Sequence, residues 1–157
     1  MVVVAIIAIL ASVVVPAWFR DSSRAKAKSE IAAMFAELST KEEQYRMDND
    51  AYLAAAPCPA TARATGQVAT ACTDPPVGAW FPMRVSLPTQ SLYCSYQIVT
   101  GPSTTPPAPP PPFTMPVPST SWFWILATCD MDSSATLDSY YFTSNMNSSI
   151  QAQNEGS

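Results

Sequence analysis

The sequence predicts an α+β fold: a long N-terminal α-helix, hydrophobic in its first half and amphipathic in its second, packed on a small antiparallel β-sheet. Three observations predict it. Residues 1–19 hold only Ser12 and Pro16 outside the apolar set. A stripe of apolar residues at helical spacing follows, uninterrupted by proline or glycine, and three aromatic and β-branched runs separated by turn residues occupy the second half of the chain. At 157 residues there is room for one domain with a modest core.

The first element, 1–19 (MVVVAIIAILASVVVPAWF), is close to the ~20 residues a helix needs to cross hydrocarbon. Nine of its residues are valine or isoleucine, poor helix formers in water, but in a bilayer only a helix satisfies every backbone amide. A cleaved signal peptide fits badly, because no basic region precedes the run and Pro16, Trp18 and Phe19 stand where small cleavage-site residues belong. Met1 opens directly into the apolar run, so a natural amino end is expected upstream. Arg20, Arg24, Lys26 and Lys28 follow the run, and by the positive-inside rule alone they would place that side in the cytoplasm. The cysteines argue the reverse.

The second element, 20–55, is an amphipathic helix continuing into the globular domain. Ile31, Met34, Phe35, Leu38, Tyr45 and Tyr52 fall on one stripe, so the two segments form a helix of about 50 residues, roughly 75 Å at 1.5 Å per residue. Residues 20–50 carry 13 of the 20 charges, and these read as a solvated face on which Glu37 pairs with Lys41 and Glu42 with Arg46.

The remainder, 56–157, reads as a disulfide-bonded β domain. Residues 54–73 form an irregular loop, and strands are predicted at 92–100, 122–129 and 139–144, with the helix stripe as their cover. Between the first two strands, 102–118 holds nine prolines in seventeen residues, a composition that favours polyproline II and forbids ladder hydrogen bonds. An exposed, stiff excursion is expected there, with proline recognition by a partner as a lesser reading.

Composition excludes much chemistry. The absence of histidine removes the commonest general acid/base and every Ser-His or Cys-His nucleophile pair, and four scattered glycines cannot build a phosphate cradle. A net charge of -4 argues against a nucleic-acid ligand. No catalytic constellation assembles, so the chain reads as a non-enzyme without a cofactor. Cys58, Cys72, Cys94 and Cys129 match no zinc spacing and predict two disulfides in an oxidising, extracytoplasmic compartment. The favoured pairing is Cys58 with Cys72 and Cys94 with Cys129. Asp130, Asp132, Ser134, Thr136 and Asp138 alternate as oxygen ligands do in a calcium loop, but Ala135 replaces the turn glycine and Tyr141 the bidentate glutamate, so Ca²⁺ is a candidate against a plain turn. Asn147-Ser148-Ser149 is a glycosylation sequon, and Ser103, Thr104 and Thr105 are candidate O-glycosylation acceptors.

The run Met1-Val-Val-Val-Ala-Ile-Ile-Ala-Ile-Leu-Ala, then Pro16-Ala17, then an Ala/Lys/Arg-rich helix entering a disulfide-bonded β domain, resembles the type IV pilin family over about residues 1–52. The resemblance implies a pilin-like fold and a structural subunit of an extracellular pilus, held in the inner membrane before assembly. Its implied partners are copies of itself, other pilins and the assembly machinery. It also implies a basic leader, a methylated phenylalanine and the segment F-T-L-I-E-L upstream of Met1, which would settle the orientation in favour of the cysteines. In such filaments the hydrophobic helix halves form the core. Here Ala5, Ala8, Ala11 and Ser12 would let backbones approach, and Pro16 would kink or loosen the helix. Three alternatives remain: a pseudopilin of a type II secretion system, a minor pilin, and a membrane-anchored extracytoplasmic binding module. Adhesion, motility, DNA uptake and electron transfer are uses the sequence does not separate.

Overall fold

The computed structural model describes residues 2–131 and 138–155, with side chains from residue 25 onward. It is an α+β structure in which one helix, α1 (Val2–Asn49), precedes seven strands: β1 (Ala55–Cys58), β2 (Gln67–Val68), β3 (Ser91–Leu92), β4 (Cys94–Gly101), β5 (Trp122–Cys129), β6 (Ser139–Ser144) and β7 (Asn147–Gln153). Five strands form one antiparallel sheet in the order β1-β4-β5-β6-β7, and β2 and β3 form a separate two-stranded ribbon.

The helix ends at Asn49, short of the expected residue 55. Asp50 turns into the left-handed region (φ 56°), its N–H caps the Arg46 carbonyl at 2.8 Å, and the Asn49 carboxamide donates to the Tyr45 carbonyl at 3.0 Å. Tyr52 therefore lies beyond the helix, where its ring meets Phe123 edge to face at 4.9 Å. Residues 54–73, expected to be irregular, supply β1, β2 and a 3₁₀ turn at Thr70–Cys72.

Alternation along the strands sorts the core into two faces. Cys94, Tyr96 and Ile98 of β4, Phe123, Ile125, Ala127 and Cys129 of β5 and Tyr141 of β6 face α1, and meet Ala27, Ile31, Met34, Phe35 and Leu38. Phe35 and Trp80 both pack edge to face on the buried Tyr96 ring, at 6.1 and 6.3 Å. Gly78 lets Trp80 in: a Cβ there would lie 2.6 Å from the Cys72 carbonyl oxygen, and the Trp80 N–H donates to that same oxygen at 2.8 Å.

On the opposite face most of the proline-rich excursion is exposed, as expected, and one part of it makes a contact that its composition did not declare. Trp122, Trp124 and Phe142 form a second core there, closed by Phe113, whose ring stacks on Phe142 at 5.1 Å with 8° between planes. Met115 packs against the same cluster, and the Trp122 indole N–H donates to the Thr105 carbonyl at 2.8 Å. The proline-rich segment is thus a strap across the sheet. With helix on one side and strap on the other, β5 is buried on both faces, which explains why it reads WFWILATC instead of alternating with polar residues.

Cys58 joins Cys72, and Cys94 joins Cys129, the pairing favoured from the sequence. Cys94 and Cys129 are register partners on adjacent strands, and Cys58 ties the edge strand to the 3₁₀ turn. No cysteine is free.

Candidate functional site

Where α1 engages the sheet, the described residues form a well-defined polar constellation. They were expected on a solvated helix face. Three glutamates instead reach from α1 to backbone amides of the domain. Glu30 accepts from the N–H groups of Tyr93 (2.8 Å) and Cys94 (3.1 Å) and from the Tyr96 hydroxyl (2.9 Å), so one carboxylate satisfies the entrance to β4. Glu37 accepts from Ser86 N–H at 2.8 Å, and Glu42 from Leu53 N–H at 2.9 Å, just past the helix end. The expected partners are therefore not the actual ones: Arg46 pairs with Glu43 at 3.1 Å, and the Tyr52 hydroxyl donates to the other oxygen of Glu43 at 2.8 Å.

Glu42 and Glu30 are buried, at 0% and 8% exposure. Burial pushes the Glu30 carboxyl above its ordinary range, against the opposing pull of its three donors. The Glu42 carboxyl rises to about 7, chiefly by burial; its bond from Leu53 opposes the rise and the neighbouring Glu43 charge adds to it. Its second oxygen, Oε1, is buried without a hydrogen-bond partner. Both carboxyls lie on positions continuous with the apolar stripe. Glu42 comes four residues after Leu38, and Glu30 four before Met34. That spacing was the signal for them, masked by their charge.

The Ca²⁺ candidates divide. Asp130 and Asp138 line one open cleft of about 330 Å³ with Ser95 and Thr128, while Asp132, Ser134 and Thr136 lie outside the described residues. Among the described residues no group of three His, Cys, Asp or Glu could hold a metal ion. The packing positions Ala5, Ala8, Ala11 and Ser12 and the proposed kink at Pro16 fall where side chains are not described. The same holds for the apolar run itself, and among the described residues no helix is long and apolar enough to cross a membrane. The sequon residue Asn147 opens β7, where its side-chain oxygen accepts from Ser149 N–H (3.0 Å) and Ser149 hydroxyl (2.6 Å).

What this arrangement does chemically is fix a long helix to a sheet. The apolar stripe supplies contact area, and the glutamate bridges, spaced 7 and 5 residues apart along α1, set its register against β4, the 80s loop and the helix exit. No family model, curated protein or solved structure matches this chain.

Proposed function

We propose that the chain is a structural subunit of an extracellular type IV pilus, assembling through its hydrophobic N-terminal helix. One observation carries this reading. α1 has 48 residues, about 72 Å. A domain of about 100 residues has a radius of gyration near 13 Å and is too small to cover such a rod. By sequence, that rod opens on the apolar run 1–19. Apolar surface of that size needs either lipid or other copies of itself, and exchanging lipid for identical helices keeps it out of water in both states. Contacts that do not close on themselves then propagate into a filament. The two disulfides suit assembly outside the cytoplasm.

On this reading the inner membrane holds the subunit before assembly, other pilins and the assembly machinery are its partners, and catalysis has no part in its task. The cleft shared by Asp130 and Asp138 favours one second reading, a calcium-binding pseudopilin of a type II secretion system. Shearing cells and imaging the released material tests the first against the rest. Thin filaments dominated by this chain are expected. Their absence, with the chain retained in the membrane fraction, would leave a pseudopilin or an anchored binding module.

A further inference from the structure

The hairpin of β6 and β7 holds two asparagines in opposite circumstances. Asn145, in the turn, is tied at both ends of its carboxamide: Oδ1 accepts from Phe123 N–H at 3.3 Å, and Nδ2 donates to the Ser121 carbonyl at 3.3 Å and to the Tyr52 hydroxyl at 3.4 Å. Asn147, which opens β7, is exposed, and only its oxygen is engaged. That oxygen accepts from the Ser149 N–H at 3.0 Å and from the Ser149 hydroxyl at 2.6 Å, so both its lone pairs are used. A backbone N–H can only donate, which fixes the atom facing it as Oδ1 and leaves Nδ2 without a partner among the described residues. The ladder also gives way at this point. Ser144 pairs with Asn147 and Phe142 with Gln151, so Ser148, Ser149 and Ile150 bulge out opposite Thr143 alone, and all three are exposed.

We propose that Asn147 is a modification site, the acceptor of an N-linked glycan delivered by a membrane-bound transferase from a sugar carried on a lipid diphosphate. Asn147-Ser148-Ser149 has the acceptor pattern, with no proline at its middle position, and the pattern occurs once in the chain. The fold adds what the pattern lacks. The nucleophilic end of the side chain is the free end, the Ser149 hydroxyl that the pattern requires is held beside it, and the bulge lets an enzyme take up three consecutive residues without breaking a regular ladder. In the transfer, Nδ2 attacks C1 of the sugar: the Nδ2–C1 bond forms, the bond from C1 to the diphosphate oxygen breaks, the diphosphate leaves on its lipid, and the carboxamide gives one proton to the transferase's base. Asn147 and Ser149 belong to neither hydrophobic core, so the product is accommodated without repacking. The glycan would stand between Met146 and Ile150, exposed at 40% and 45%, and would screen both apolar side chains. The inference rests on the oxidising compartment marked by the two disulfides and holds whether or not the helix polymerises.

Mass spectrometry of the full chain purified from the cells that make it tests this directly. Trypsin cuts last after Arg84, the final Lys or Arg of the sequence, so one peptide carries Asn147 together with the Ser103, Thr104 and Thr105 candidates, and electron-transfer fragmentation separates the two places. Added sugar mass is expected on Asn147. Asn147→Gln and Ser149→Ala, made in the same cells, are each expected to lower occupancy there at least tenfold, while Ser149→Thr keeps the hydroxyl and should keep the glycan. Near-UV circular dichroism equal to the parent is expected for all three, since none touches either core. The proposal is overturned if Asn147 of the native chain carries no sugar, including the case in which sugar is found only at residues 103–105. It is equally overturned if Ser149→Ala is glycosylated at Asn147 as fully as the parent, or if Ser149→Thr, natively folded, loses the glycan.

Discussion

Glu42 shows how one residue can escape a polarity-based reading and then govern a measurable property. Its side chain follows Leu38 by one helical turn on the buried stripe, and the unpaired Leu53 amide makes a carboxylate preferable to leucine there. Ionisation is nonetheless disfavoured, because Oε1 has lost water and gained no donor. With a folded-state pKa of about 7 against an ordinary 4.5, this group favours the folded state fully below pH 4.5, and the advantage is lost as pH rises through 7. The difference corresponds to about 3.5 kcal/mol at most, at about 1.4 kcal/mol per pKa unit. Glu30 is shifted in the same direction. The domain should therefore be more stable at pH 5 than at pH 8.5. Glu42→Gln retains an acceptor for Leu53 and has no charge to bury, so its stability should match the parent at pH 5 and exceed it by about 2 to 3 kcal/mol at pH 8.5. Urea unfolding at the two pH values measures this, and equal stability of the two proteins at pH 8.5 would show that Glu42 titrates normally.

The elements divide by how much of their environment is local. α1, β5 and β6 were legible because their side chains declare their surroundings: a 3–4 stripe meets one face of a sheet, and aromatic runs fill the core. β7 was not legible, since a polar edge strand such as NSSIQAQ has no apolar alternation, and only pairing with Tyr140, Tyr141 and Phe142 defines it. β1 was hidden by the prolines that make it a poor internal strand. The proline strap was legible as an exposed excursion but not as a cover. Composition excluded it from the ladder correctly, but said nothing about whether Phe113 and Met115 would find a hydrophobic surface to cover. That surface exists because both faces of β5 are apolar. Phe113→Ala should then remove the stack on Phe142, destabilise the domain by about 2 to 4 kcal/mol, and open the Trp122–Trp124–Phe142 face. Chemical unfolding reads the first effect. Binding of a hydrophobic dye under native conditions reads the second, and dye binding equal to the parent would mean that the strap is held by its other contacts, chiefly the Trp122–Thr105 bond.

At the scale of the whole molecule, the contacts inside the domain and the proposed contacts between helices differ in geometry: the first are closed, whereas helices packing side by side with a constant offset have no reason to stop. The candidate site was legible only in part: the stripe on α1 predicted a helix packed on the sheet, but nothing in composition revealed the glutamates that fix α1 there, because their partners are backbone amides 11 to 64 residues away in sequence. Among the described side chains of α1, which begin at Ala25, those that enter the core run from Ala27 to Leu38. Removing residues 1–24 should accordingly leave a protein of residues 25–157 that keeps both disulfides, its near-UV spectrum and the acid-favoured stability of the parent. In sedimentation it should form no polymers at any concentration, while the full chain released from detergent forms long polymers. Polymers from the shortened chain would locate the propagating contact in the globular domain and refute the helix-driven reading, whereas a full chain that stays monodisperse in water would show that the apolar half of α1 has some other covering.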